Sequence, residues 1–160
     1  MSLTPEDSAE TLRHLAIRVR KDLIRLYPPV RWDRKNRNLF SLLDGNYRFF
    51  DDDFTGACGV ASYMLQLLAR RYDVELELTG TDHHFWCHVP SLGRVVDATF
   101  SQFDEEVPVY IGKPLEEPHE TFEEIAFGGE AKTLLRKYPD VQNPFSKYHA
   151  PVIQKWLRSL

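Results

Sequence analysis

Only two cysteines occur in the chain, Cys58 and Cys87, too few for the disulfide framework of a small secreted domain, so both are expected as free thiols in a reducing compartment. No run approaches the ~18 apolar residues of a membrane span, and the opening MSLTPEDSAE has neither the basic nor the apolar region of a secretory signal. A cytoplasmic protein without a membrane partner is expected. Positive charge is also in short supply: 20 Lys and Arg face 24 Asp and Glu, for a net charge of −4 and a pI near 5.9. That removes the global positive field of most nucleic-acid binders, and no nucleic-acid partner is expected. With no internal repeat, low-complexity stretch or linker, residues 1–160 read as one domain. Apolar residues make up 42%, enough for a packed core and too many for a disordered chain.

Charge is unevenly placed. Arg13 to Arg37 holds nine basic residues against Asp22 and Asp33, and Asp104 to Glu130 holds nine acids against Lys113. Such runs are usually solvated faces, and the two could also pair, or the basic one could meet an acidic partner. Leu12, Leu15, Ala16, Val19, Leu23 and Leu26 recur at three- and four-residue steps, which predicts an amphipathic helix over about 8–26, stopped by Pro28 and Pro29. Residues 30–55 show no sustained period. Cys58 to Arg71 is apolar on a broad arc and predicts a buried central helix. The period then falls to two at Val74, Leu76 and Leu78, predicting a half-buried strand. Two apolar runs, His84 to Val89 and Arg94 to Phe100, flank Ser91-Leu92-Gly93 and predict a β-hairpin. A short strand is expected over 107–111, and helices over about 120–127, 130–137 and 148–160. Strands gathered after helices, without strict alternation, indicate an α+β class with an antiparallel sheet.

Cys58 lies between Gly56-Ala57 and Gly59 at the start of the central helix. Unpaired backbone N–H groups there favour a thiolate and can receive a developing oxyanion. A cysteine at such a place is also commonly just a small buried hydrophobe. A thiol nucleophile needs a base, and the string His83-His84-Phe85-Trp86-Cys87-His88 offers three imidazoles. In a strand His84, Trp86 and His88 share one face, whereas His83, Phe85 and Cys87 share the other. Four residues at ~3.3 Å set His84 and His88 roughly 13 Å apart, too far to hold one zinc ion together, which weakens a zinc-binding module to a third reading, and no cofactor is expected. On the next strand Asp97 follows two valines, where a plain core strand would carry another apolar residue. A buried carboxylate there needs a partner, and an imidazole across the hairpin would supply one; the same Asp could instead cap a turn.

Cysteine at a helix start, His-x-Trp on a strand and Asp on the following strand resemble the order in transglutaminase-like members of the papain-like cysteine enzymes. The resemblance is carried by Gly56-Ala57-Cys58-Gly59, His84-Phe85-Trp86 and Val96-Asp97-Ala98-Thr99 followed by Gln102-Phe103, and spans 48 of 160 residues. It implies a papain-like fold whose Cys58 helix packs on an antiparallel sheet, with Cys58 as nucleophile, His84 as base and Asp97 as the acid that orients it. It further implies a thiol hydrolase, or a transglutaminase-like acyltransferase, acting on a protein, peptide or small-amide substrate. Trp86, Asn46 and Tyr47 are candidates for the substrate site; Asn46, Tyr47 or the loop Phe49 to Thr55 would complete the oxyanion hole. The alternative is a noncatalytic interaction module on the same fold, presenting Trp86, Phe85 and the basic N-terminal helix to a partner.

Overall fold

The leucine-rich period at the N-terminus forms helix α1 (Pro5–Leu26) in a computed structural model, which describes residues 4–28, 48–81, 83–119 and 135–160, together with the backbone of 125–126. The helix begins three residues before its expected start at about residue 8 because Thr4 caps it: its hydroxyl accepts from Asp7 N–H at 3.1 Å, and Pro5 occupies the first turn. Leu12, Leu15, Ala16, Val19 and Leu23 are buried. Helix α2 (Cys58–Arg70) packs between them and the sheet, touching α1, β1 (Glu77–Gly80) and β2 (Phe85–Val89). Ten of its 13 residues are buried, as the broad apolar arc requires.

The sheet is antiparallel and five-stranded among the described residues, in the order β4 (Tyr110–Gly112), β3 (Arg94–Asp97), β2, β1, β5 (Ile125–Ala126). The β2–β3 hairpin pairs Cys87 with Val96 and His88 with Val95. Its turn closes with Leu92 N–H donating to Val89 C=O at 3.1 Å and with Gly93 at φ +59, a value that glycine adopts without steric cost. Leu78, Phe85, Cys87, Val89 and Val96 join the core with α2. By alternation Trp86 and Asp97 point to the other face, where a kinked helical turn, α3 (Glu116–His119), brings His119 against both, and a 3-10 turn (Phe100–Gln102) sets Phe100 beside His119.

One expected helix is corrected. Ile125 and Ala126 are a strand that pairs with Gly80 and Thr79, not part of a helix over 120–127. The outer edge of β1 offers unpaired N–H and C=O groups, and satisfying them outweighs a weak local helix preference; the rest of that stretch lies outside the described residues. Of the helix expected over 130–137, residues 130–134 lie outside the described residues, and Leu135 is helical and fully buried. The strand expected over 107–111 lies at Tyr110–Gly112, and the C-terminal helix is α4 (Ala150–Ser159). Trp156 on α4 donates its indole N–H to Asp22 on α1 at 2.7 Å. That carboxylate also meets Arg18 and Arg25, so part of the basic run pairs within its own helix.

Beside α4, His149 is buried against Phe49 and Tyr27, and Tyr27 O–H donates to its Nδ1 at 2.7 Å. Burial lowers the His149 pKa from 6.5 to about 4. A group held neutral in the native state contributes stability that is present above the unfolded value and lost as pH falls. The urea midpoint is therefore expected to drop between pH 6.5 and about 4, and His149→Phe to flatten that drop. Leu12→Ala, at a fully buried position, is expected to cost about 2–5 kcal/mol in the same titration. Ile24→Ala, at a site 46% exposed, should cost less than about 1 kcal/mol.

Candidate functional site

Asp97 ends β3 with no exposure to solvent, so its charge must be met by donors from the protein. Four converge on it. Oδ1 accepts from Thr99 N–H at 3.0 Å and from the Thr99 hydroxyl at 3.4 Å. Oδ2 lies 2.6 Å from His84 Nε2 and 3.0 Å from His119 Nε2. Burial alone would raise the carboxyl pKa, but the His84 charge and the hydrogen bonds from His119 and His84 outweigh it and hold Asp97 at about 2.

His84 sits just before β2, 2% exposed, with its ring stacked on Trp86 at 5.7 Å. Its Nδ1 lies 3.2 Å from Gln102 Nε2. That amide nitrogen also donates to Thr99 C=O at 3.1 Å, which fixes it as the NH2 end. In the neutral ring Nδ1 therefore accepts and the single proton resides on Nε2, facing Asp97. Burial opposes charging of the ring, yet Asp97, by charge and hydrogen bond, and Cys58 together raise the His84 pKa to about 9. Charging His84 places a second N–H against the Gln102 amide, so that side chain must turn away when the imidazolium forms.

Cys58 opens α2 and is 3% exposed. Its hydrogen bond goes to Gln142, and it is among the groups that raise the His84 pKa, which puts it within electrostatic reach of the imidazole. The preceding turn is tight: Gly56 has φ +96 and Phe54 has φ +70, an uncommon conformation for a bulky residue. Phe54 is held there by stacking on Phe50 at 5.0 Å and by the Arg20 guanidinium 3.9 Å above its ring. The thiol is covered by Gln142, whose Oε1 accepts from Cys58 Sγ at 3.4 Å and from Gly59 N–H at 3.0 Å. A side-chain carbonyl thus rests on the helix N-terminus beside the sulfur.

The other thiol has a different environment. Cys87 is fully buried on the α2 face, donates to Ser62 C=O at 3.3 Å, and is pushed far above the ordinary thiol range by burial. His88 faces Glu77 at 3.5 Å, away from the cluster, and His83 is exposed. Trp86 is fully buried behind His84, and its indole N–H has no hydrogen-bond partner among the described residues. Asn46 and Tyr47 lie outside the described residues. A cleft of about 460 Å³ lined by His83, His84, Phe100, Phe103, Glu117 and Pro118 opens onto the imidazole.

Two contributors were not singled out from sequence, His119 and Gln142. Each lies in a segment without period or motif, and only the fold brings it to the site. His84, Asp97 and His119 also have the composition of a two-histidine, one-carboxylate metal centre, with ligand atoms within 4.8 Å of one another. Their surroundings oppose it. A metal-bound imidazole donates its remaining N–H to an acceptor, whereas Nδ1 of His84 meets the Gln102 amide N–H and Nδ1 of His119 accepts from Leu115 N–H at 3.1 Å. Both rings are set to give their Nε2 protons to Asp97.

A Cβ added to Gly59 would lie 2.5 Å from the backbone oxygen of Gln142 and 3.0 Å from its Oε1. Gly59→Ala is expected to lift the Gln142 segment at a cost of about 1–3 kcal/mol in a urea titration, with helix content unchanged. Comparison with family models, with curated proteins and with solved structures finds no match.

Proposed function

We propose that the protein is a cysteine-dependent acyl-transfer enzyme of the transglutaminase-like kind, hydrolysing an amide through Cys58, His84 and Asp97. The observation that carries the reading is the buried His84 ring bound to Asp97 through Nε2 at 2.6 Å, with Cys58 at the start of α2 among the groups that raise its pKa. In this reading Nδ1 takes the thiol proton once Gln102 has turned aside, and the sulfur attacks the acyl carbon. The imidazolium, stabilised by Asp97, then returns the proton to the leaving amine, and water releases the acyl group. The Gly59 N–H that now holds Gln142 Oε1 supports a role in receiving the oxyanion, so Gln142 must yield its place to the substrate carbonyl. The substrate is a protein, a peptide or a small amide, entering through the cleft beside His84. Of the surface expected for the alternative module, the basic residues Arg13, Arg18, Lys21 and Arg25 of α1 are exposed, but Phe85 and Trp86 are 2% and 0% exposed and cannot form its aromatic part.

Treatment with an activated acyl ester followed by intact-mass and peptide mapping tests the proposal. An adduct on Cys58 that disappears in Cys58→Ala and His84→Ala supports it; an adduct on Cys87, or none, overturns it. Gln142→Ala is expected to speed Cys58 acylation two- to tenfold or so, the weight of one hydrogen bond of about 0.5–1.5 kcal/mol. Asp97→Asn keeps the shape but removes the charge that stabilises imidazolium, and should slow turnover by orders of magnitude at an unchanged melting temperature. Turnover, which needs the imidazolium proton, should decline as pH rises through about 9.

A further inference from the structure

We propose that His119 is a positioning residue: by donating its Nε2–H to the carboxylate oxygen that also holds His84, it fixes Asp97 and limits the charge that Asp97 presents to His84. Four observations lead there. The two imidazoles converge on one atom, Oδ2, at 2.6 and 3.0 Å, while Oδ1 is already taken by Thr99. The tautomer of His119 is set by Leu115 N–H, which occupies Nδ1 at 3.1 Å and leaves the proton on Nε2. The ring cannot turn, being fully buried with Trp86 at 5.1 Å, Tyr110 at 5.7 Å and Phe100 at 6.2 Å. Finally, the other groups able to influence His84 are few among the described residues. Cys58 approaches from α2, Asp97 from β3, and His83 and Glu117 share its cleft; Arg20 of α1 acts on Asp97.

The physical consequence follows from sharing. A carboxylate oxygen that accepts two N–H groups offers each a weaker acceptor than it would offer one alone. Without the second donor, the charge of Asp97 would act more fully on His84 and hold its proton more tightly. An imidazolium held too tightly is a poor acid, and the ideal group exchanges its proton near the working pH. This benefit to catalysis rests on the acyl-transfer reading; the coupling of His119 to His84 through Asp97 does not.

The test is the titration of His84 followed by imidazole ¹H–¹⁵N spectra, its signal assigned by its loss in His84→Gln. In the wild-type protein His119 should be protonated at Nε2 and bare at Nδ1; a proton on Nδ1 overturns the proposal whatever the variants do. In His119→Phe, which keeps a ring and removes the donor, the His84 midpoint should rise by about one pH unit. In His119→Gln, whose amide nitrogen can take the place of Nε2, it should return to within about 0.3 unit of wild type. A His84 midpoint unchanged or lowered in His119→Phe, or as far displaced in His119→Gln, assigns His119 a packing role only and overturns the proposal. Should His119→Phe fail to fold, His119→Asn takes its place, its amide being too short to reach Asp97. Acylation of Cys58 is measured on the same samples, so a shift in His84 without any acylation sustains the coupling and removes the acyl-transfer reading.

Discussion

A carboxylate with no access to water organises the face of the sheet turned away from α2. Ionised Asp97 is tolerated only because Thr99 supplies two donors to one oxygen and two imidazoles supply one each to the other. Removing water from such a charge costs several kcal/mol, and each donor must therefore be held by something else. Thr99 is steadied by Gln102, His84 by its stack on Trp86, and His119 by Leu115 and its aromatic neighbours. Arg20 reaches across from α1 to the backbone oxygens of Ala98 and Pro108, tying the first helix to the loops that follow β3. The network thus spans α1, β2, β3 and α3, and its demands explain why polar side chains persist at positions that packing alone would fill with valine or leucine.

The two faces of the hairpin have separate tasks. Phe85, Cys87, Val89 and Val96 close the core against α2, and Cys87 in particular is sealed there with its proton on the Ser62 carbonyl. His84, Trp86 and Asp97 face the second layer. Cys58 belongs to the first side by chain position, but it opens α2 just after the tight turn through Phe54 and Gly56, and its influence extends to the His84 pKa. A helix start can serve two layers in this way, since its first residue projects beyond the helix cylinder while its backbone N–H groups remain free for a carbonyl. In the present structure that carbonyl is Gln142's, which makes the proposed acyl site complementary to a carboxamide before any substrate arrives.

How much of this was legible differs by kind of signal. The helix at 58–70 and the β2–β3 hairpin follow from breadth of apolar arc, period and a turn glycine, all local features. The approach of Asp97 to His84 follows from a hairpin in register, and the opposed faces of His84 and Cys87 follow from the two-residue pleat alone. The start of α1 was within reach of the sequence too, since Thr4-Pro5-Glu6-Asp7 is a cap signature that the apolar period does not contain. Ile125 and Ala126 were not, because an unpaired sheet edge is a tertiary object and overrides a short segment's own preference.

By itself, then, the sequence determined the α+β class, the central helix opened by Cys58 and the hairpin, and offered the pairing of its histidine with its aspartate beside a turn cap; the structure shows Asp97 making both contacts. Those depend on neighbours within a few residues or across one tight turn, where the pleat and the helical repeat leave little choice. Only the tertiary structure decided that His119, 22 residues beyond Asp97, is the second imidazole on the carboxylate, and that Gln142, 84 residues beyond Cys58, covers the thiol. Side chains brought together by separate loops carry no period and no fixed spacing. Their meeting is set by how the whole chain packs to bury its core and satisfy one enclosed charge.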